Sequence, residues 1–449
     1  MIPTDDSWTR RRMLRQFGAL LAGSSLAGCS QVKDASRERQ STTTTTSSTD
    51  HDSPVDPSDV SLRKLGQTYL SAGPPPGGGF SEVSVREDGK YAVVGTKWGT
   101  SGTFLVDLGD RSAPKRVHFL GNADDAPNLD VKFDARDGLY HRAIEETWPG
   151  NFEVVDYGHS AGTPTNPTVV GTVSDGKSHN VKPHPTEPVL YTMNYGLETN
   201  GFDVYDVSDP TTPRKIGSHG PQGAGHDINV DSKRELLCCA YQSGQFIGFI
   251  IYDVSEPRHP EEIGRFDYEK RKPYDDAQLG EEAFGAAHHG HFDPQRELLV
   301  FGDERPQGIP GGKHVFDIGW KDGSPENPIP VGFTVSPNAQ HMTGDYASRF
   351  DWTGHHFDIV SGEAATLVVA ADWHEGTVVY DITDPTNPQP VDRYPTDDGV
   401  NDIALNDEVK QLGSPPMAWK AVYNDARDLV VVSDVFTGLY TFELTPALK

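Results

Sequence analysis

The sequence predicts an all-β protein, a seven-bladed β-propeller closed by its N-terminal strand. A nine-residue phrase leads there. Tyr205-Asp206-Val207-Ser208-Asp209-Pro210-Thr211-Thr212-Pro213 returns as Tyr252-Asp253-Val254-Ser255-Glu256-Pro257-Arg258-His259-Pro260 and as Tyr380-Asp381-Ile382-Thr383-Asp384-Pro385-Thr386-Asn387-Pro388. Weaker copies at Val106-Asp107, Val155-Asp156 and Phe316-Asp317 place aspartates 107, 156, 206, 253, 317 and 381 at intervals of 49, 50, 47, 64 and 64 residues. A period of roughly 40–50 residues filled with strand patterns marks a propeller blade. The last repeat also stops one strand short, and a matching strand stands at the start of the folded part.

Each repeat reads as four short strands. The second is an apolar run, as in Tyr91-Ala92-Val93-Val94, Leu298-Leu299-Val300-Phe301, Leu367-Val368-Val369 and Leu429-Val430-Val431-Val432. The third runs into the aspartate phrase, where Asp, Ser or Thr and Pro form a turn that ends the strand. The fourth is a stretch such as Arg214-Lys215-Ile216-Gly217, Glu262-Ile263-Gly264-Arg265 or Pro330-Val331-Gly332-Phe333. Second strands count to seven. The seventh repeat ends at Gly438 to Leu444, and Arg63 to Tyr69 carries the missing fourth-strand pattern. Pairing the two closes the ring and removes exposed sheet edges. Residues 61–449 then form one domain, because isolated blades cannot bury their faces.

The first 60 residues read differently. Arg10, Arg11 and Arg12 precede an apolar run from Phe17 to Gly28, too short to span a bilayer. The arginines resemble a twin-arginine export signal, and Leu26-Ala27-Gly28-Cys29 resembles a lipoprotein cleavage box. Residues 1–29 are therefore expected to be a signal peptide, with Cys29 as the lipidated first residue of an exported protein on the outer face of the cell membrane. Residues 30–60 carry a serine and threonine tract that cannot bury a core, and are expected to be a disordered tether.

The chain has 66 acidic and 39 basic side chains, a formal net charge of -27. This argues against nucleic acid as a partner, because phosphate binding needs clustered Lys and Arg. Such an excess of acid repels itself at low salt, and the composition resembles that of salt-loving archaeal proteins. Beyond Cys29 only Cys238 and Cys239 remain, neighbours in one apolar strand. They read as small buried hydrophobes, so no disulfide framework is expected.

The aspartate phrase resembles the LVIVD repeat of bacterial and archaeal exported and surface proteins, with the third, fourth and sixth repeats closest. The resemblance implies the propeller fold and supplies no single activity.

Candidate chemistry sits ten residues upstream of each second strand, where the innermost strand begins. There the third to sixth repeats place His179, His226, His288 and His355; the seventh has Trp419, the first Ser81 and the second Leu129. His289, His291 and His356 add to the group. The turns after the second strands should bring Asp303, Glu304, Asp372, His374 and Asp434 to the same mouth of the channel. Histidine with some Asp or Glu is a ligand set for zinc, copper, iron or nickel. Gly225-His226, Gly290-His291 and Gly354-His355 equally match the Gly-His pair that hydrogen-bonds within WD-repeat blades. Three long linkers, Tyr268–Ala287, Ser336–Gly354 and Thr396–Pro416, should lie over this face and carry Tyr274, Tyr346, Phe350 and Trp352.

The sequence supports two functions. One is a monomeric, lipid-anchored binding module for a surface protein or small ligand, with or without a metal at the channel mouth. The other is a copper-, zinc- or iron-dependent oxidase or hydrolase built on the histidines. The histidine placement is similar to the metal sites of selenium-binding-type propellers. No Gly-x-Ser-x-Gly, Walker loop or dinucleotide fingerprint is present.

Overall fold

The computed structural model describes residues 59–70, 77–122, 126–144, 151–270, 284–304, 311–338, 353–400 and 404–445. Cys29, the rest of the segment expected to be a signal peptide and nearly all of the expected tether lie outside the described residues, as do Tyr274, Tyr346, Phe350 and Trp352.

Among the described residues there are strands, turns and short 3-10 turns, and no α-helix. The strands form antiparallel meanders in chain order. Strand β1 (Ser61–Thr68) precedes the sheet β2 (Phe80–Val85), β3 (Tyr91–Thr96), β4 (Gly102–Asp107) and β5 (Lys115–Gly121). The next sheet is β6 (Val131–Phe133), β7 (Leu139–Ala143), β8 (Phe152–Asp156) and β9 (Thr168–Val173). A six-stranded sheet comes after it: β10 (Ser178–Pro183), β11 (Val189–Asp206), β12 (Arg214–Asp231), β13 (Leu236–Gly244), β14 (Gly248–Asp253) and β15 (Glu261–Asp267). Then come β16 (Ala287–Phe292), β17 (Leu298–Asp303), β18 (Lys313–Asp317) and β19 (Ile329–Thr334), and after them β20 (Phe357–Ser361), β21 (Thr366–Asp372), β22 (Gly376–Asp381) and β23 (Gln389–Tyr394). The last sheet has the order β1-β26-β25-β24, built from β24 (Ala418–Asn424), β25 (Leu429–Asp434) and β26 (Gly438–Thr445). Strand β1 thus pairs with β26, Leu62 opposite Leu444.

The six-stranded sheet departs from the four-strand expectation. Strands β11 and β12 are each 18 residues long: β11 joins the second and third strands of the third repeat, and β12 runs from its fourth strand into the first strand of the fourth repeat. Their ladder shifts register between Gly196 and Asn200 and again between Val204 and Tyr205. Extra residues at such shifts bend and twist a strand, so one continuous ladder can serve two repeats.

The repeated phrase has a local cause. The aspartates that end the third strands accept a backbone N–H two residues on: Ser208 N on Asp206 (3.0 Å), Ser255 N on Asp253 (2.8 Å) and Thr383 N on Asp381 (2.8 Å). These Asx turns stop the strand and aim the chain at the next one. In the longer loops after β8 and β18, Asp156 and Asp317 instead gather several successive amides, including those of Gly162 and Gly323.

Apolar side chains of the second and third strands fill the spaces between sheets. Val93, Val300, Val369 and Val431 are fully buried, and they fall in separate clusters that each draw on neighbouring sheets. The first strands of the repeats contact one another in sequence: β2 with β6, β6 with β10, β10 with β12, β12 with β16, β16 with β20, β20 with β24, and β24 with β2. This arrangement sets the place of the candidate site.

Candidate metal centre

A bulge recurs near the start of these first strands. The ladder skips between Phe80 and Val83 in β2, Ser178 and Asn180 in β10, Gly225 and Ile228 in β12, Ala287 and His289 in β16, and Ala418 and Lys420 in β24. The skipped residues are Ser81 and Glu82, His179, His226 and Asp227, His288, and Trp419. A bulge re-aims its side chain and is common beside functional sites. Here the same defect, repeated, releases one or two positions per strand from the ladder.

The released histidines meet one another and His355 and His356, which precede β20, where the ladder keeps its register. The His179 and His226 rings lie 4.3 Å apart, His226 and His288 4.0 Å, His288 and His355 4.5 Å, His288 and His356 4.8 Å, and His355 and His356 4.4 Å. Ligand atoms of His226, His288 and His356 lie within 4.8 Å of one another, as do those of His288, Glu304 and His355. All five histidines are buried. Donors on one ion at about 2.1 Å stand roughly 3.4–4.2 Å apart, so small ring rotations separate this arrangement from a ligand set.

Hydrogen bonds prepare two of the rings. His355 Nδ1–H donates to the Trp419 carbonyl, and His356 Nδ1–H donates to Glu82 Oε2 at 2.7 Å. Each bond fixes the tautomer that leaves Nε2 with a bare lone pair. His355 Nε2 lies 3.7 Å from Glu304 Oε1, and His288 Nε2 lies 3.4 Å from Glu304 Oε2 without hydrogen-bond alignment. His226 Nε2 meets His179 Nε2 at 3.0 Å. Among the described residues, His226 Nδ1, both nitrogens of His288 and His356 Nε2 have no hydrogen-bond partner. Buried polar atoms are nearly always paired, and such orphans call for a ligand, an ion or water.

Burial governs the protonation states. It pushes His226, His288 and His356 well below the usual histidine range, aided in His226 and His288 by the like charge that neighbouring imidazoles would carry. It pulls His355 down to about 3, against the Trp419 hydrogen bond. These rings are therefore neutral at pH 7 and free to ligate. Burial raises the Glu304 carboxyl to about 7, opposed by the Gln242 hydrogen bond and by Lys97.

Other candidates take other roles. His289 is fully engaged, by Asp227 at Nδ1 and by the Phe357 carbonyl at Nε2 (3.0 Å). His291 lies farther along β16, where it pairs with Asp358 (3.0 Å) and the Phe292 carbonyl (2.8 Å). Trp419 walls the site, its ring 4.6 Å from His355 and packed on Trp98 and Trp373. His374 sits in the turn after β21, outside the groups of close ligand atoms.

Asp303, Asp372 and Asp434 end the second strands β17, β21 and β25 and act as clamps. Asp303 accepts from Tyr268 Oη (3.0 Å), Gly285 N (2.8 Å) and His314 Nε2 (3.2 Å). Asp372 accepts from Lys313 Nζ (2.6 Å) and from the Tyr380 hydroxyl. Asp434 accepts from Thr396, Met417, Phe436 and Thr437. All three are held in these bonds, and among the described residues none falls in a group of close ligand atoms. Asp372→Ala would leave the Lys313 ammonium, 2% exposed, without its carboxylate. The expected loss is about 3–5 kcal/mol of stability, measured by denaturant unfolding, with metal binding retained.

Sequence reasoning missed a second layer. One residue past the aligned position, the repeats carry Glu82, Asp130, Asn180, Asp227, His289, His356 and Lys420, polar in all seven. Glu82 Oε1 accepts from Lys132 (2.7 Å), which also pairs with Asp130, while Asn180 Nδ2 donates to Asp227 (2.9 Å). The signal was present as an unbroken polar column beside the histidine column.

Comparison with known proteins bears on the fold. Residues 196–219, 240–268 and 368–396 match the LVIVD repeat. The chain carries LVIVD repeats. They cover the phrases at Tyr205, Tyr252 and Tyr380. Two crystal structures of Sqt1 from Chaetomium thermophilum are similar to this chain, one with TM-score 0.51 at 9% identity and one with TM-score 0.55 at 10%. Each match covers 85% of this chain, and 98% and 100% of the respective Sqt1 chain. No curated protein matches. At such identities the likeness concerns the fold alone, and the LVIVD-repeat chain is all-β and propeller-like.

Proposed function

We propose that this protein is a β-propeller holding one transition-metal ion at its channel mouth, with His226, His288, His355 and His356 as ligands. The observation that carries the reading is that His226, His288 and His356, all buried, each bring one ligand atom within 4.8 Å of the others, while four nitrogens of these rings have no hydrogen-bond partner among the described residues. Neutral imidazoles suit zinc, copper, iron and nickel. Glu304, beside His288 and His355, is an acid placed to join them or to face an incoming ligand, whereas Asp227, grouped with His289 and His356, is bound to His289.

The architecture in this reading is a seven-bladed ring, with β1 completing the last blade. The cyclic order of contacts from β2 to β24 and back, and the pairing of β1 with β26, support it. The pattern from Arg10 to Cys29 supports export and a lipid anchor at the outer cell surface.

A second reading rests on the LVIVD repeats and the propeller-like fold. It is an interaction module that offers its histidine face to a surface protein or small ligand, and it needs no metal. Elemental analysis of the full chain, purified without chelators or an affinity tag and then reconstituted, separates the two. About one copper, zinc, iron or nickel per chain is expected. No bound metal after reconstitution would leave the interaction module standing alone.

A further inference from the structure

The second polar layer borders the metal centre proposed above, and a role for it there rests on that reading. We infer that Glu82 is a positioning residue of the centre: from the first repeat it fixes the tautomer, orientation and donor strength of His356 in the sixth.

Glu82 is released by the bulge between Phe80 and Val83 and is 2% exposed. Its two oxygens have separate tasks. Oε2 accepts His356 Nδ1–H at 2.7 Å. Oε1 accepts from Lys132 Nζ at 2.7 Å, with Lys420 Nζ at 3.8 Å. Lys132 is shared with Asp130, whose Oδ2 accepts the Val181 amide at 2.7 Å. The carboxylate is therefore held from behind by cations of the second and seventh repeats and cannot swing away from His356.

The consequence is electronic as well as geometric. A ligand histidine that donates its other N–H to a carboxylate becomes a stronger donor with a fixed ring plane, and loss of that partner typically weakens metal binding about 10- to 100-fold. His355 provides a contrast. Its Nδ1–H goes to a neutral backbone carbonyl, so the tautomer is set without added charge. His356 is thus the ligand with the anionic partner, and its basicity is adjustable at one side chain that touches neither ion nor incoming ligand.

The test compares the full chain with Glu82→Gln and Asp130→Asn, using Zn2+ alone in chelator competition and Co2+ alone for ligand-field spectra. Glu82→Gln is expected to weaken Zn2+ binding about 10- to 100-fold and to shift the Co2+ bands. Asp130→Asn removes the other carboxylate on Lys132 and leaves the His356 bond, so it should lower stability with unchanged Zn2+ affinity. Nitrogen NMR of the histidine-labelled, metal-free protein gives an independent readout. It should show His356 protonated at Nδ1 in the parent, with that single tautomer lost in Glu82→Gln. Equal Zn2+ affinity in Glu82→Gln, or an equal loss in Asp130→Asn, would overturn the inference. If the parent binds no Zn2+, the metal centre itself fails, and the tautomer comparison still decides whether Glu82 governs His356.

Discussion

Replacing His226 and His288 with alanine together is expected to abolish stoichiometric metal binding while leaving the fold intact. The two rings lie 4.0 Å apart at the middle of the group, and His226, His288 and His356 offer ligand atoms within 4.8 Å. Removing both breaks each group of close ligand atoms that contains them and leaves His355, His356 and Glu304, too few imidazoles to hold a transition metal against ordinary competition. Stability separates this from a purely structural role. A histidine that hydrogen-bonds its blade stabilises the fold, so alanine in its place should cost about 1 kcal/mol or more. His288 has no hydrogen bond to lose among the described residues, and its two buried nitrogens lack compensation. An unpaired buried polar group costs about 1–3 kcal/mol, which offsets much of the cavity that alanine leaves. The metal-free double variant should therefore unfold near the parent midpoint, while the gain in stability on adding metal disappears. His291→Ala, which breaks only the Asp358 pair and a local backbone bond, should keep its metal. A double variant that still binds one ion would show that the histidine group is not the ligand set.

Much of this arrangement is legible in the sequence, for a physical reason. The aspartate phrase repeats because each third strand must stop and turn in the same way, and the Asx turns at Asp206, Asp253 and Asp381 do so through one hydrogen bond each. A period visible in turns fixes the strands between them. The column of His179, His226, His288 and His355 emerges on counting back from the second strands, and the first three of these lie where the ladder bulges. The bulges themselves leave no local signature, because an extra residue looks like any other until its partner strand is known. This is why His288 and His289, adjacent in sequence, have opposite fates: one is released from the ladder, the other is held by Asp227 and Phe357. Asp303, Asp372 and Asp434 resemble ligands by their position at the strand ends. Their partners Tyr268, Lys313 and Thr396 come from other segments, and only the packed structure reveals that these carboxylates are held by them. Glu82 and His356 are 274 residues apart, a pairing that no periodicity announces.

The metal-free protein is expected to lose stability steeply as pH falls from about 6.5, while the metal-loaded protein resists over the same range. The sign is set by where protons bind. An unfolded histidine takes up a proton near pH 6.5. In the folded state burial holds His355 down to about 3, with His226, His288 and His356 well below the usual value. Between pH 6.5 and these values the unfolded chain binds more protons, so stability rises with pH and is lost on acidification. For His355 alone the loss at pH 4 is about 3 kcal/mol. Three buried acids work the other way. Burial raises Glu304 to about 7, Asp130 to about 6, the latter against Lys132, and Asp434 above its usual range, so folding favours their protonated forms and acid stabilises them. They offset part of the effect of the four imidazoles, whose larger shifts set the direction. Metal changes the balance, because a bound ion occupies the lone pairs that protons would take. Since the folded rings are already neutral at pH 7, proton competition for the site begins only near their lowered values. Metal affinity should therefore stay level from pH 8 to about 5, where an exposed histidine site would already weaken. Thermal melts of both forms between pH 7.5 and 4.5 test this. A metal-free midpoint that stays flat across that range would show that the histidine group is hydrated and titrates like histidine in water, and the case for a dry ligand set would fall with it.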